Sequence, residues 1–379
     1  MSETTHVSRQ VTPPVLKTPP LTINPLEFDL FAGLDVDKRS IVVTYVDHAN
    51  VLQSRKLPYD AHNLLTYTRK QFSDKRVAFV YEAGPTGYGL YDALTAAQVT
   101  CLVTPPSQVP VARGTRVKTN RVDSQRLAEG LRGAELHGVR VPTGAYRELR
   151  HLTRLRNQYI EEVRATKCRI KALLLHEGLI FPEAPPGSQW SQKIVRQLRA
   201  MEASPAVRFR LHSLLDTLQF IQRQALTTQE EVRRLCSEDA EIAASIGFLM
   251  SIPGIGWIIA SNLMARIGDH RNLKNGRELG GFLGLTPCED STGDDVRRGS
   301  ITHSGDATLR NMLIEGAWTA IRKDPDLAEF YRRICQRHPR DRAARIAIVA
   351  VARKLTTRMH TVLTQRRDYV PSQTKSQDK

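Results

Sequence analysis

The hydrophobic pattern of this chain changes once, near residue 143, and the change separates two kinds of structure. Before it, short apolar runs with strand character alternate with helical stretches. The runs span 28–36, 41–46, 77–81 and 100–103, and the helical stretches span 60–71 and 86–98. Only a few residues separate the first two runs, which favours an antiparallel hairpin, whereas helical crossovers precede the later runs. The pattern predicts an α/β domain with a mixed sheet over residues 27–142.

Beyond this point the pattern is helical and basic. From about Tyr146, apolar residues recur at spacings near three, four or seven with arginine and lysine between them, which predicts a long amphipathic helix. A proline-rich segment at 181–187 ends it, and a second helical stretch at about 206–236 could return antiparallel to it. Residues 143–240 are therefore expected to form a helical arm. Packing or dimerisation is the favoured role of this arm, and its outer arginines could also contact nucleic acid.

Three further segments complete the organisation. Residues 241–366 are predicted to form a third, α-helical domain, with helical stretches at about 308–322, 326–337 and 342–363. Residues 1–26 contain five prolines among polar side chains, and this composition predicts a flexible arm without a core. Residues 367–379 are predicted to be a polar tail.

The charge of the chain limits its partners. With 55 Lys and Arg against 39 Asp and Glu, the net charge is +16, which favours a polyanion and, first of all, nucleic acid. Aromatic residues make up only 6% of the chain, so contacts should be chiefly to phosphates. No apolar run is long enough to span a membrane, and we expect a cytoplasmic protein without a membrane partner. Five scattered cysteines indicate neither a disulfide framework nor a zinc site.

Acidic residues stand where the strand-like runs end. Asp35 and Glu82 each close an apolar run, and Asp123 and Asn120 share one face of a predicted helix start. Such residues could meet at one end of a sheet and hold Mg²⁺, which prefers hard oxygen ligands. Each also has an ordinary interpretation: Asp35 as a turn residue, Glu82 as a cap of the segment after it, and Asn120 or Asp123 as a helix cap.

Two other segments are candidates for contact with phosphate. Gly254 and Gly256 lie in a short turn at 251–256 ahead of a helical stretch, a pattern typical of a helix-hairpin-helix, although a plain packed turn fits equally well. The loop at 285–306 is rich in hydroxyls and glycine and contains Arg297, Arg298 and His303. An exposed nucleophile with phosphate-binding neighbours could lie there. Lys118 and Arg121, beside Asn120, could likewise hold phosphate or simply be solvated.

Five ordered motifs resemble one family. They are Gly33-Leu34-Asp35, the segment 81–88, the segment 118–123, the turn 251–256 and Ser291-Thr292-Gly293. In order and spacing they are similar to the DEDD insertion-sequence transposases, the "IS one-ten" family, which also includes pilin-gene invertases. The similarity runs from about residue 31 to residue 363.

The resemblance implies more than the residues do alone. It implies a RuvC-like N-terminal domain of RNase H fold, a coiled-coil arm, and a C-terminal transposase domain with a catalytic serine. It also implies a bacterial, cytoplasmic recombinase guided by a structured RNA, the bridge RNA, whose loops pair with double-stranded target and donor DNA. The nucleophile would form a covalent link to DNA beside a Mg²⁺ site, in a tetramer that is a dimer of dimers.

Two positions depart from the family pattern. Asn120 stands where the third acid is usual, so the metal-binding set would be Asp35, Glu82, Asn120 and Asp123. An amide oxygen can bind Mg²⁺ but brings no charge. Thr292 stands where the family has its serine, and Ser291 is adjacent. Register places Thr292 first as the nucleophile, whereas Ser291 is less hindered.

These observations leave three hypotheses. The leading one is a transposase or recombinase that cuts and rejoins DNA through a hydroxyl nucleophile, with Mg²⁺ at the acidic site and RNA as its guide. The second is a metal-dependent nuclease of the junction-resolvase type, which uses the acidic site alone to activate water. The third is a noncatalytic nucleic-acid-binding protein whose metal site has decayed through Asn120.

Overall fold

The computed structural model describes residues 21–109, 119–185, 187–289 and 298–371, in two units that divide between Val141 and Pro142. The N-terminal unit is built on one mixed sheet, and the second unit is largely helical. Both of these broad predictions are confirmed. Within the described residues, no helix is both long and apolar enough to cross a membrane.

The sheet of the first unit has five strands in the order β3-β2-β1-β4-β5. The strands are β1 (Leu30–Val36), β2 (Ser40–Val46), β3 (Val51–Pro58), β4 (Val77–Glu82) and β5 (Cys101–Thr104). The first three pair antiparallel, whereas β4 runs parallel to both β1 and β5. The predicted hairpin of the first two strands is therefore present. Sequence analysis missed β3, because this largely exposed edge strand contains Gln, Ser, Arg and Lys instead of an apolar run.

Three helices cover the two faces of this sheet. They are α1 (Ala61–Gln71), α2 (Gly89–Ala96) and α3 (Asn120–Arg132). Leu34 and Tyr81 point to the face covered by α1 and α2, and Phe31 and Val80 share a core with Leu127 of α3. This division follows from the period of two along each strand. The helix predicted from residue 86 begins only at Gly89.

The second unit begins with an antiparallel pair of long helices, α4 (Gly144–His176) and α6 (Pro205–Glu238), joined through the short α5 (Gln192–Arg199). Near its start, α4 packs with the end of α6, and near its end it packs with the start of α6. The two long helices were predicted and α5 was not.

The remaining α-helices pack around one apolar core. They are α7 (Ala240–Met250), α8 (Trp257–Ile267), α9 (Gly276–Phe282), α10 (Ala307–Lys323), α11 (Pro325–Gln336) and α12 (Arg340–Gln365). Between α9 and α10, the short strands β6 (Pro287–Glu289) and β7 (Arg298–Ile301) pair antiparallel as a separate two-stranded sheet. The division of this unit into an arm and a C-terminal domain near residue 240 stays a prediction.

Candidate acidic site and candidate nucleophile loop

Asp35 and Glu82 occupy matching positions on neighbouring parallel strands. In the ladder between β1 and β4, Gly33 pairs with Val80 and Leu34 pairs with Tyr81, so Asp35 and Glu82 are the next residues of the two strands. Side chains two positions apart on a strand point to the same face. Because Val80 belongs to the core shared with α3, Asp35 and Glu82 both point to the α3 face of the sheet.

Helix α3 approaches this face so closely that only glycine fits beneath it. A Cβ atom at Gly33 would overlap with the carbonyl oxygen of Ser124 and would also collide with the amide nitrogen of Ala128. The backbones of β1 and α3 are therefore in direct contact, two residues before Asp35. This contact explains why the first family-like motif begins with glycine.

The direction of α3 places its first turn at the acidic end of the sheet. The side chain of Ser124 is hydrogen-bonded to that of Thr44, and Thr44 is the partner of Gly33 in the ladder between β1 and β2. At the other end of α3, the Arg132 side chain donates to the carbonyl of Asp47, just after the C-terminal end of β2. Since α3 runs from the level of Asp35 back along β1, Asn120 and Asp123 lie at the same end and on the same face as Asp35 and Glu82.

The surroundings of Asn120, Asp123 and Glu82 bear on the capping roles that the sequence allowed for them. Thr119 is the N-cap of α3 and accepts a hydrogen bond from the amide of Val122, so neither Asn120 nor Asp123 is the cap. No described residue donates a hydrogen bond to the exposed carboxylate of Glu82. The segment after it is held instead by the Tyr81 hydroxyl, which donates to the carbonyl of Gly87 at 3.0 Å.

The donor set suits a hard cation. Asp35 and Asp123 are half-buried, Glu82 and Asn120 are exposed, and Asp123 lies 3.7 Å from Arg126. No group of three or more Asp, Glu, His or Cys within the described part of the chain is close enough to hold a metal ion. Mg²⁺ usually keeps several waters and binds one or two carboxylates together with substrate phosphates. Neighbouring carboxylates on β1 and β4 meet that requirement.

The glycine turn has two different surfaces. Gly254 has a φ of +89°, and a Cβ there would overlap with the carbonyl oxygen of Gly316, so this glycine serves the turn and the packing against α10. Gly256 is exposed at the N-terminus of α8, and a Cβ there would meet nothing within 4 Å. Of the two glycines, only Gly256 is exposed, and its contact with phosphate stays a prediction.

The candidate nucleophile loop, residues 285–306, is held at its two ends by side chains of α8 and α10. Buried Arg310 donates from Nη1 to the carbonyls of Leu283 at 3.0 Å and Ser304 at 3.1 Å. Arg266 forms an ion pair with Asp306. Exposed His303 follows β7, with a positive φ of 54°.

The remaining predicted site residues fall partly outside the described part of the chain. Lys118, Ser291, Thr292 and Arg297 lie outside the described residues. Arg298 begins β7, and Arg121 is exposed on the first turn of α3.

Three residues that shape these sites were missed from sequence. Thr44 looks like an ordinary β-branched strand residue, and buried Arg310 is one of many arginines. Ser124 carried a usable signal, because it stands on the buried face of α3 with Leu127 and Leu131, where a small residue indicates close backbone approach.

The first unit is thus an α/β domain with acidic residues at one end of its sheet. The second is a helical unit in which Arg310 and Arg266 bind Ser304 and Asp306, at the C-terminal end of the polar loop. A sequence model described as "Transposase" for the DEDD transposases matches residues 32–178, and a second, described as "Transposase IS116/IS110/IS902 family", matches residues 247–332. The chain belongs to this transposase family.

Individual proteins with similar sequences also include transposases. A putative transposase, y4qE, from Sinorhizobium fredii is 34% identical over 255 residues, which cover 66% of this chain and 60% of the relative. The transposase for insertion sequence element IS1111A from Coxiella burnetii is 24% identical over 274 residues, or 71% of this chain and 72% of the relative. A pilin gene-inverting protein from Moraxella lacunata is 29% identical over 136 residues, covering 35% of this chain and 41% of that protein.

Proposed function

We propose that this protein is a DNA transposase that cuts and rejoins DNA through a hydroxyl nucleophile, with a Mg²⁺-binding acidic site and a structured RNA as its guide. The observation that carries the proposal is the matched position of Asp35 and Glu82 on parallel strands, on the face over which α3 brings Asp123. The strand order, three antiparallel strands extended by two parallel ones, supports a RuvC-like domain of RNase H fold.

The acidic residues would serve to bind a cation beside the phosphodiester. Asp35, Glu82 and Asp123 would hold Mg²⁺ directly or through its waters, with Asn120 as a neutral oxygen donor, and the bound ion would offset negative charge on the reacting phosphate. Exposed Arg121, on the same first turn of α3 as Asn120, is available to a phosphate oxygen.

The nucleophile would be Thr292, with Ser291 as its neighbour and alternative. Attack of the hydroxyl oxygen on phosphorus would form a phosphoester to the protein and break the bond from phosphorus to a deoxyribose oxygen, and the proton that the side chain loses would be balanced by the one that this leaving oxygen takes up. A deoxyribose hydroxyl of the second DNA then attacks the same phosphorus and restores the side chain. The number of phosphoester bonds is unchanged, so joining needs no external energy source.

Charge supports the nucleic-acid partners. The net charge is +16, and six arginines fall within residues 332–345, at the turn between α11 and α12. They are Arg332, Arg333, Arg337, Arg340, Arg342 and Arg345, and all six are exposed. Cations at the start of α12 are unfavourable for the helix dipole, so this surface is better explained by an anionic partner than by helix stability. The proposals of a guide RNA and of a tetramer built as a dimer of dimers rest on the family resemblance alone.

The direct test is a denaturant-resistant adduct. Protein incubated with Mg²⁺ and DNA containing the ends of its own element should retain labelled DNA through SDS electrophoresis. Changing Thr292 and Ser291 together to alanine should abolish the adduct. If recombination occurs without any adduct, the covalent mechanism is wrong.

A junction-resolvase-type nuclease is the second candidate, because every predicted metal ligand belongs to the N-terminal unit, whereas the loop with the predicted nucleophile belongs to the second unit. For a nuclease, the double alanine variant should still cleave DNA. For the proposed transposase, cleavage should be lost with the adduct.

A further inference from the structure

Three hydroxyl groups form a chain from the edge strand of the sheet to the first turn of α3. Oγ of Ser54 lies 2.7 Å from Oγ1 of Thr44, and the same Oγ1 lies 2.7 Å from Oγ of Ser124. The Ser124 hydroxyl donates to the carbonyl oxygen of Arg121 at 3.0 Å. Thr44 and Ser124 are fully buried.

We propose that this hydroxyl chain is a positioning device for the acidic site. It holds the first turn of α3 at one height and one rotation above the sheet, and so sets Asp123 and Asn120 against Asp35 and Glu82. Thr44 and Ser124 are the positioning residues. The inference deepens the proposed function and rests on it, because it requires that the acidic residues bind a metal ion together.

The protons in the chain run in one direction. Each hydroxyl has a single proton. Since Ser124 gives its proton to the carbonyl of Arg121, it can only accept from Thr44, and Thr44 in turn must accept from Ser54. Every buried hydroxyl is then both donor and acceptor. A shift of α3 would leave at least one of them unpaired inside the domain, which is costly.

Apolar packing does not supply this precision. Leu127 and Leu131 hold α3 against the sheet, but hydrophobic contact has no preferred direction and tolerates sliding and rotation. A hydrogen bond has a narrow range of distance and angle. Because Gly33 has no side chain, the backbones of β1 and α3 can touch. The hydrogen bond from Thr44 to Ser124 then sets the position of α3 along β1.

The hydroxyl chain is coupled to the acids by short stretches of backbone. Ser124 directly follows Asp123, and Thr44 pairs across the ladder with Gly33, two residues before Asp35. A site whose ligands come from different elements needs its side chains placed to within about 0.5 Å. Supporting residues of this kind typically change metal affinity by about 10- to 100-fold when they are removed.

The same domain contains a matched control. On the opposite face, the Tyr45 hydroxyl lies 2.6 Å from Oγ1 of Thr68, which donates to the carbonyl of Leu64. This pair is also buried and also joins β2 to a helix, here α1. It is on the face away from Asp35 and Glu82, so its removal costs stability without altering the acidic site.

The test is Mn²⁺ binding to the full-length protein, measured by electron paramagnetic resonance, with circular dichroism as the check on folding. We expect Thr44→Val and Ser124→Ala to weaken Mn²⁺ binding about tenfold or more, because the support of the ligands is lost. Thr68→Val should bind as the wild type does. Thr44→Ser retains the hydroxyl and should keep wild-type affinity.

Each outcome separates the two proposals. If Asp35→Asn leaves Mn²⁺ binding unchanged, the acidic site itself is wrong, and the positioning device falls with it. If binding depends on Asp35 but Thr44→Val and Ser124→Ala bind normally, only the positioning device is wrong. An equal loss in Thr68→Val would show a general effect of stability and would also overturn it. Should Thr44→Val not fold, Ser124→Ala, which removes one atom, decides.

Discussion

Gly33 of β1 and Ser124 of α3 are in backbone contact, and any side chain at residue 33 would overlap with the carbonyl oxygen of residue 124. Gly33→Ala should therefore destabilise the N-terminal unit by about 1–3 kcal/mol, as overpacking of a well-packed interface does. Hydrogen–deuterium exchange of β1 and α3 in the full chain measures this loss. Gly89→Ala is the control, because a Cβ there meets nothing closer than 3.9 Å and no loss is expected.

Asp35→Asn and Glu82→Gln should lower Mg²⁺-dependent adduct formation by about 100-fold or more, because a fixed charge at the reacting phosphate is lost. Glu82 is exposed, so Glu82→Gln should leave the stability of the domain unchanged. Gel assays of the adduct over a range of Mg²⁺ concentrations measure the effect. Glu135→Gln, an exposed carboxylate beyond the C-terminal end of α3, should behave as the wild type. Full activity of Asp35→Asn would contradict the proposed role of the site.

Asn120→Asp should raise the affinity for Mn²⁺ by about tenfold, because a charged oxygen replaces a neutral one at a hard-cation site. Titration of the full-length protein measures the change. The wild type should already form an adduct with DNA. If it forms none and Asn120→Asp gains activity, the wild-type metal site has decayed and the protein only binds nucleic acid.

Arg310→Met should cost about 2 kcal/mol of unfolding free energy in the second unit, since two carbonyls lose their buried donor. It should also reduce adduct formation, because the base of the nucleophile loop is loosened. Urea denaturation followed by tryptophan fluorescence is suitable, since all three tryptophans lie in this unit. Arg322→Met changes an exposed arginine of the same helix and should have little effect on either measurement.

Burial lowers the pKa of His270 below its ordinary value of 6.5, because desolvation penalises the charged ring. Asp269 and Glu241 favour the charged form, whereas Arg271 and Arg366 oppose it. The unfolded chain therefore binds more protons than the folded one as the pH falls through 6.5 and below, and stability declines there. His270→Gln should lose less stability than the wild type between pH 7 and pH 5 in urea denaturation. Exposed His176→Gln should follow the wild-type curve.

Local pattern predicted most of the elements. The two long helices α4 and α6 and the hairpin of β1 and β2 follow from spacing and polarity that are visible in a short window. Strand β3 and helix α5 were missed. β3 is polar because it is an edge strand, and α5 is only eight residues long. The turn at Gly254 was predicted, but its packing against Gly316 was not, because that partner lies some sixty residues away.

The sequence by itself determined that acidic residues end the strands β1 and β4 and stand on the first turn of α3, and that the protein is strongly basic. Only the tertiary structure decided that Asp35 and Glu82 are level with each other and share a face with Asp123. That result depends on the parallel register of two strands separated by some forty residues and on the direction in which α3 crosses them. The pairing of β1 with β4 and the approach of α3 to Gly33 are contacts between residues far apart in the sequence, so no local preference encodes them.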